Sequence, residues 1–146
     1  MVYQLHLDAR ETTMAQKIKI LLVDIDVNLK GALGNLLDKL FMGKQYNLIQ
    51  VNLVRKALDI IKNNNINLII TDLQLLDCSG ISLLIQVKER FPNIPKIVLS
   101  AYTDLVTEDD LELLGVNYFF QKPPDLYALE RAIENTFHSE RKENLG

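Results

Sequence analysis

Apolar residues in this chain alternate between two patterns: short unbroken runs, and stretches in which they recur every three or four positions. The unbroken runs predict strands over 18–23, 67–71, 96–100 and 116–121. Runs of this length read as strands buried on both faces, which is the signature of a parallel sheet. Tyr46 to Val51 alternates only in part and reads as an edge strand. Between the runs, Leu29, Ala32, Leu33, Leu36, Leu37, Leu40 and Phe41 fall on one helical face. Ala57, Leu58 and Ile61 mark a short helix ended by Asn63-Asn64-Asn65. Ile81, Leu84, Ile85 and Phe91 mark a third helix, and Pro92 and Pro95 punctuate the turn after it. Residues 105–114 read as a short acidic helix with Thr107 as its cap and Gly115 as its stop. Asp125 is placed to cap a last helix bearing Leu126, Leu129, Ile133 and Phe137, and the polar tail after His138 is expected to fray.

Strand and helix thus alternate five times, in units of roughly 20–25 residues, which predicts an α/β fold with a doubly wound five-stranded parallel sheet. The folded domain is placed at 17–138, after an N-terminal extension over 1–16 that lacks any sustained period and before a polar tail over 139–146. At 146 residues, 48% of them hydrophobic, the chain is one domain with a packed core. A formal charge of −3 without a local Lys/Arg cluster gives no footprint for direct nucleic-acid binding. No apolar stretch approaches the ~20 residues of a membrane span. The single Cys78 allows no internal disulfide, and the N-terminus lacks a signal-peptide pattern; both point to a cytoplasmic protein.

The chemistry lies where the predicted strands end. Asp24 and Asp26 close the first run, Asp72 the one over 67–71, Ser100 the next, and Lys122-Pro123 the last. Carboxyl ends of parallel strands converge on one sheet edge, where open α/β folds bind ligands. Two or three carboxylates, a hydroxyl and an ammonium gathered there make a metal-and-phosphate site. Each residue also has a plainer role open to it. Asp26 could cap the first helix, Ser100 could be a small strand-end residue bonded to backbone, and Phe119 could be ordinary packing. His6, His138 and Cys78 lie away from these positions and are given no role.

In this order the residues resemble the receiver domain of two-component response regulators, over essentially the whole of 17–138. Val23-Asp24-Ile25-Asp26 stands where that family carries its acidic pair, Leu68 to Gly80 matches the phosphoacceptor segment, and Ser100-Ala101 and Lys122-Pro123 match the switch hydroxyl and the Lys-Pro pair. The Ala57-Leu58 pair also falls where the family has one. The resemblance implies a flavodoxin-like (βα)5 fold with strand order 2-1-3-4-5. It implies that Asp72 is the phosphoacceptor, that Lys122 and Ser100 contact the phosphoryl group, and that Phe119 is the aromatic switch position. It implies a Mg²⁺ held by Asp24, Asp72 and the backbone carbonyl of Gln74, with Asp26 as a further candidate. The implied partners are a sensor histidine kinase or phosphotransfer protein and a downstream protein. The latter would dock on the face made by the helix near 105–114, strand 116–121 and the helix from Asp125.

Three departures stand beside these matches. The family's metal-ligating second acid is Ile25, its Met-Pro is Leu75-Leu76, and its acidic residue before the glycine is Ser79. An isoleucine offers a hard cation neither charge nor oxygen. Mg²⁺ is therefore expected to bind weakly or not at all, unless Asp26, two residues from Asp24 in extended chain, takes the place. Two other readings follow. One is a pseudo-receiver acting as a phosphorylation-independent interaction module. The other is a haloacid-dehalogenase-type phosphatase with Asp24 as nucleophile, which leaves Asp72 without a task and lacks the paired acidic motif after Lys122.

Overall fold

The computed structural model describes residues 17–42, 44–101 and 106–145, with side chains described as far as His138. The N-terminal extension over 1–16 and residue 105 lie outside the described residues. Five strands, β1 (Ile18–Val23), β2 (Tyr46–Val51), β3 (Leu68–Thr71), β4 (Lys96–Ser100) and β5 (Tyr118–Gln121), form one parallel sheet in the order β2-β1-β3-β4-β5. Helices α1 (Val27–Leu40), α2 (Val54–Asn63), α3 (Gly80–Arg90), α4 (Glu108–Leu113) and α5 (Leu126–Leu145) connect and flank them. The doubly wound parallel sheet is the one expected from the alternation of elements, and its order is the flavodoxin-like one that the resemblance implies.

Burial follows position in the sheet. All of β3 and β4 is buried, as are the last four residues of β1, whereas β2 and β5 are only partly covered, as edge strands are. Side chains alternate between the two faces of each strand. Ile20, Leu22, Ile70 and Leu99 meet Leu33 and Leu37 of α1 and Leu129 and Ile133 of α5 on one face. On the other, Leu21, Val23 and Ile69 meet Ala57 and Ile61 of α2 and Leu83 and Val87 of α3. A smaller cluster of Leu73, Leu84 and Val98, joined by Val106, Leu114 and Phe119, lies beneath α4. A fully buried leucine contributes about 1.5–3 kcal/mol relative to exposure, so these layers rather than helix propensity hold the helices in place.

The helix termini match their sequence signals with three differences. Thr107 and Asp110 form a reciprocal capping box at the start of α4, Gly115 takes a φ of 74° after its end, and Asp125 Oδ1 accepts from the amides of Tyr127 and Ala128. The acidic helix itself is shorter than expected, spanning Glu108–Leu113. The buried stripe of α3 is Gly80, Leu83, Leu84 and Val87, not the face through Ile81 and Ile85; Ile85 is exposed. The helix faces two clusters at once, so its covered arc is rotated by one residue from the pattern of its largest apolar side chains. The backbone of α5 is helical to Leu145, past the boundary at 138 read from the sequence.

Two features of the β3–α3 loop tie it to its surroundings. Helix α2 begins after Leu53, whose side chain makes no cap; instead Asp77 of the loop accepts from the amides of Val54 at 2.8 Å and Arg55 at 3.2 Å. The Val54 amide is the main reason the Asp77 carboxyl is held below its ordinary pKa. Gly80 packs so closely on the loop that a Cβ there would lie 2.0 Å from the carbonyl oxygen of Asp72. Backbone atoms cannot yield at that distance. Gly80→Ala should therefore cost roughly 2–3 kcal/mol, read as a lower urea midpoint at unchanged slope. Gly31→Ala in α1, with open space around the new methyl, should instead be neutral or gain up to about 1 kcal/mol. Equal midpoints for the two variants would contradict the close approach at Gly80.

Candidate functional site

The register of the sheet places the strand-end residues on one edge. Val23 pairs with Thr71, Thr71 with Val98, and Ser100 with Gln121, so the central strands finish nearly level. The hydrogen-bond ladder then runs one residue past the strands: the Asp24 amide donates to Val51 O at 2.9 Å, Asp72 to Val23 O at 3.0 Å, and Lys122 to Ser100 O at 2.8 Å. Backbone bonds thus fix the three charged residues at the point where they leave the sheet.

Their side chains converge. Lys122 Nζ donates to Asp24 Oδ2 at 2.6 Å and to Asp72 Oδ2 at 2.9 Å. The other oxygens are held by backbone: Asp24 Oδ1 accepts from the Asp26 amide at 2.8 Å, and Asp72 Oδ1 from the amides of Leu73 at 2.6 Å and Gln74 at 3.2 Å. Asp24 is 1% exposed and Asp72 8%, so both carboxylates are largely out of water, where unpaired charge is costly. Burial pulls the Lys122 pKa down, but hydrogen bonds and charge attraction from Asp24 and Asp72 outweigh it, and the net shift is upward. The Lys122–Pro123 peptide bond is cis.

The remaining expected residues are placed as follows. Ser100 ends β4 fully buried, between β3 and β5. Phe119 packs in the cluster with Leu73, Leu84 and Val98 beneath α4. Asp26 makes the capping contact open to it: its carboxylate accepts from the Asn28 amide at 2.9 Å at the start of α1, and the residue is exposed. Gln74 is exposed and bridges to Ser79, whose own side chain caps α3 through the Ile81 amide.

Whether these donors fit a divalent cation follows from their occupancy. Asp24 and Asp72 each give an oxygen to Lys122, Asp26 is engaged as a cap, and Ile25 turns its side chain 52% into solvent. The adjacent groove is lined by Asp24, Ile25, Gln50 and two lysines, Lys30 and Lys56, rather than by further acids. Among the described residues no group of three or more His, Cys, Asp or Glu side chains is arranged to hold a metal ion. This donor set fits a resident Mg²⁺ poorly, because a hard cation asks for several oxygens not already committed to an ammonium.

Two contributors were not read from the sequence. The Gln50 side chain donates to the carbonyls of Asp24 at 3.0 Å and Asp26 at 3.3 Å, and so braces the acidic loop from β2. Thr71 Oγ1 donates to Asp72 O at 2.9 Å. Polar residues inside otherwise apolar strands were the available signal for both.

The model of the response regulator receiver domain family matches residues 20–134. The chain belongs to this family. As a receiver it is 28% identical over 117 residues to the transcriptional regulatory protein ZraR of Escherichia coli K12, covering 80% of this chain and 26% of that protein. It therefore spans about a quarter of the length of such relatives. It is also 28% identical over 116 residues to sporulation initiation phosphotransferase F of Bacillus subtilis strain 168, covering 80% of this chain and 90% of that one. Among solved structures, a CheY-like receiver domain protein of Methanospirillum hungatei JF-1 superposes with a TM-score of 0.77 at 25% identity, covering 88% and 99% of the two chains. The signal receiver domain of an HD domain-containing protein of Pseudomonas fluorescens Pf-5 superposes at 0.75 and 23% identity, covering 87% and 99%. Receivers are regulatory rather than catalytic domains, and response regulators work with histidine kinases or phosphotransfer proteins. Family membership removes the ground for the haloacid-dehalogenase-type reading. No helix among the described residues is long and apolar enough to cross a membrane.

Lys122→Met would leave two buried carboxylates on one edge without their shared cation. The expected loss is about 3 kcal/mol near pH 7, the scale of a broken buried pair. Because the Lys122 pKa rises on folding, its contribution is fully present below the ordinary value of 10.5 and is lost as pH rises through the raised value. Urea denaturation of both proteins should show the gap narrowing only in strong alkali. A gap already closed near pH 9 would exclude Lys122 as the ion that matters.

Proposed function

We propose that the domain is a signalling receiver in which Asp72 accepts a phosphoryl group from a histidine kinase or phosphotransfer protein, at a site with weak affinity for Mg²⁺. The carrying observation is the Lys122 ammonium held between Asp24 and Asp72 at the carboxyl edge of the sheet. In the transfer, a carboxylate oxygen of Asp72 bonds to phosphorus as the bond from phosphorus to the donor's imidazole nitrogen breaks. The electron pair leaves with the imidazole. Little covalent chemistry falls to the protein in such a step; position and neutralisation of the equatorial oxygens are its contributions. Lys122 is the cation already beside the acceptor, and its Nζ can turn from the carboxylates to the incoming phosphoryl oxygens. Ser100, on the neighbouring strand, offers its hydroxyl to the same group, and Phe119 lies in the cluster beneath α4 through which a shift there reaches the α4–β5–α5 face.

A second reading has its own observation in favour. Ile25 stands exposed where the family carries a metal-ligating acid, and both remaining carboxylates already share the Lys122 ammonium. A domain held in one state in this way would act as a pseudo-receiver, binding its downstream partner without phosphorylation.

Incubation with acetyl phosphate, with and without Mg²⁺, followed by intact-mass measurement and reductive trapping, separates the two. The receiver reading expects a single label on Asp72, absent in Asp72→Asn. No label at any Mg²⁺ level would leave the pseudo-receiver. Ile25→Asp should raise Mg²⁺ affinity at least about tenfold, equivalent to ~1.4 kcal/mol. Unchanged affinity in that variant, with a large loss in Asp26→Asn, would show that Asp26 leaves its capping role to bind the metal and that the site is not weakened at Ile25.

A further inference from the structure

The opposite end of the sheet carries a second concentration of charge that the receiver chemistry does not use. Lys96 opens β4 and is 2% exposed. By alternation along β4 it shares the face of Val98, under α3 and α4. Its Nζ donates to Ile94 O at 3.2 Å and sits beside Gly115, where an added Cβ would lie 3.4 Å from the nitrogen. Among the described residues no carboxylate lies within ion-pair distance of it. The charge that does act on it is another cation, Lys88; burial chiefly, and Lys88 in addition, hold its pKa below 10.5. A buried ammonium is ordinarily paired, and one carbonyl occupies only one of its three donors.

Lys96 also lines a cavity of about 230 Å³, together with Asn93, Gly115, Asn117, Asn135 and Thr136. No acidic side chain is among the residues around it. Asn117 Oδ1 already accepts from the Lys96 amide at 2.8 Å, and Thr136 donates its hydroxyl to Ala132 O, so the amide NH₂ of Asn117 is left as a donor. The carbonyl end of α4, which would repel an anion, is occupied: Lys88 Nζ donates to Leu113 O, and the amides of Gly115 and Val116 to Glu112 O and Leu111 O. The volume is below the ~300–1,000 Å³ of sites for drug-sized ligands, which leaves room for an ion of a few heavy atoms.

We propose that this cavity binds a small oxyanion, a phosphate or a short carboxylate, neutralised by the Lys96 ammonium. The site lies at the N-terminal ends of β4 and β5, whereas Asp72 lies at the carboxyl edge, and it stands whether or not Asp72 is phosphorylated. An anion here bears on Gly115, the stop of α4, and so on the placement of that helix.

Amide chemical shifts followed during titration with inorganic phosphate, and separately with malonate, test this on the whole chain. Saturable shifts are expected at Gly115, Asn117 and Asn135. Either probe saturating alone supports the site and tells phosphate from carboxylate. Lys96→Met, which removes a buried charge and should still fold, is expected to weaken binding at least tenfold. Asn135→Phe, which blocks the cavity from an exposed position on α5, should do the same. Shifts confined to the loops of Asp24, Asp72 and Lys122, shifts that never saturate, or binding that survives Lys96→Met would overturn the proposal.

Discussion

One ammonium shared by two buried carboxylates is the interaction on which the rest of this structure is organised. Asp24, Asp72 and Lys122 come from three strands, and β4 lies between the strands of Asp72 and Lys122. Lys122 reaches across the end of β4 because that strand finishes in the small Ser100, with Ala101 after it, and because its own amide is fastened to the Ser100 carbonyl. Without it, two buried carboxylates would lie side by side on this edge with no cation between them. At an effective dielectric of about 20, two unit charges 4 Å apart interact by roughly 4 kcal/mol, in either sign. The same cation that makes the fold tolerable at this edge is the one beside the candidate phosphoacceptor.

That double use explains why a single substitution in the acidic loop has consequences beyond its own position. With Ile25 in place of a carboxylate, the edge carries fewer negative charges, and one lysine with backbone amides satisfies those that remain. The neighbouring groove adds Lys30 and Lys56, which shift the local balance further from what a divalent cation requires.

The five strands and the residues of the edge were legible because parallel strands buried on both faces leave unbroken apolar runs, and each run here ends in a charged or hydroxyl-bearing residue; the order of the strands came only from the family resemblance. Helix caps at Thr107 and Asp125 were equally legible, since capping depends on neighbours a few residues away. What escaped depended on distant partners. The covered face of α3 is set by two clusters contributed by other elements, so Ile85, well placed by local spacing, is left exposed. Gln50 is an ordinary polar residue of an edge strand until the Asp24 and Asp26 carbonyls are brought to it. Asp26 was open between two roles in the sequence; the geometry of the first turn of α1 gives its carboxylate to the Asn28 amide.

The cap of α2 by Asp77 has a consequence of another kind. A helix that supplies its own first residue with a hydrogen-bond acceptor frays or holds by itself. Helix α2 instead receives that acceptor from the loop that follows Asp72, 23 residues further along the chain. The opening of α2 therefore belongs, as a cooperative unit, with the loop after Asp72 rather than with the rest of its own helix. Any rearrangement that carries Asp77 away unlatches the amides of Val54 and Arg55 at the same moment. The far side of the sheet, away from α4, thereby registers what happens beside Asp72.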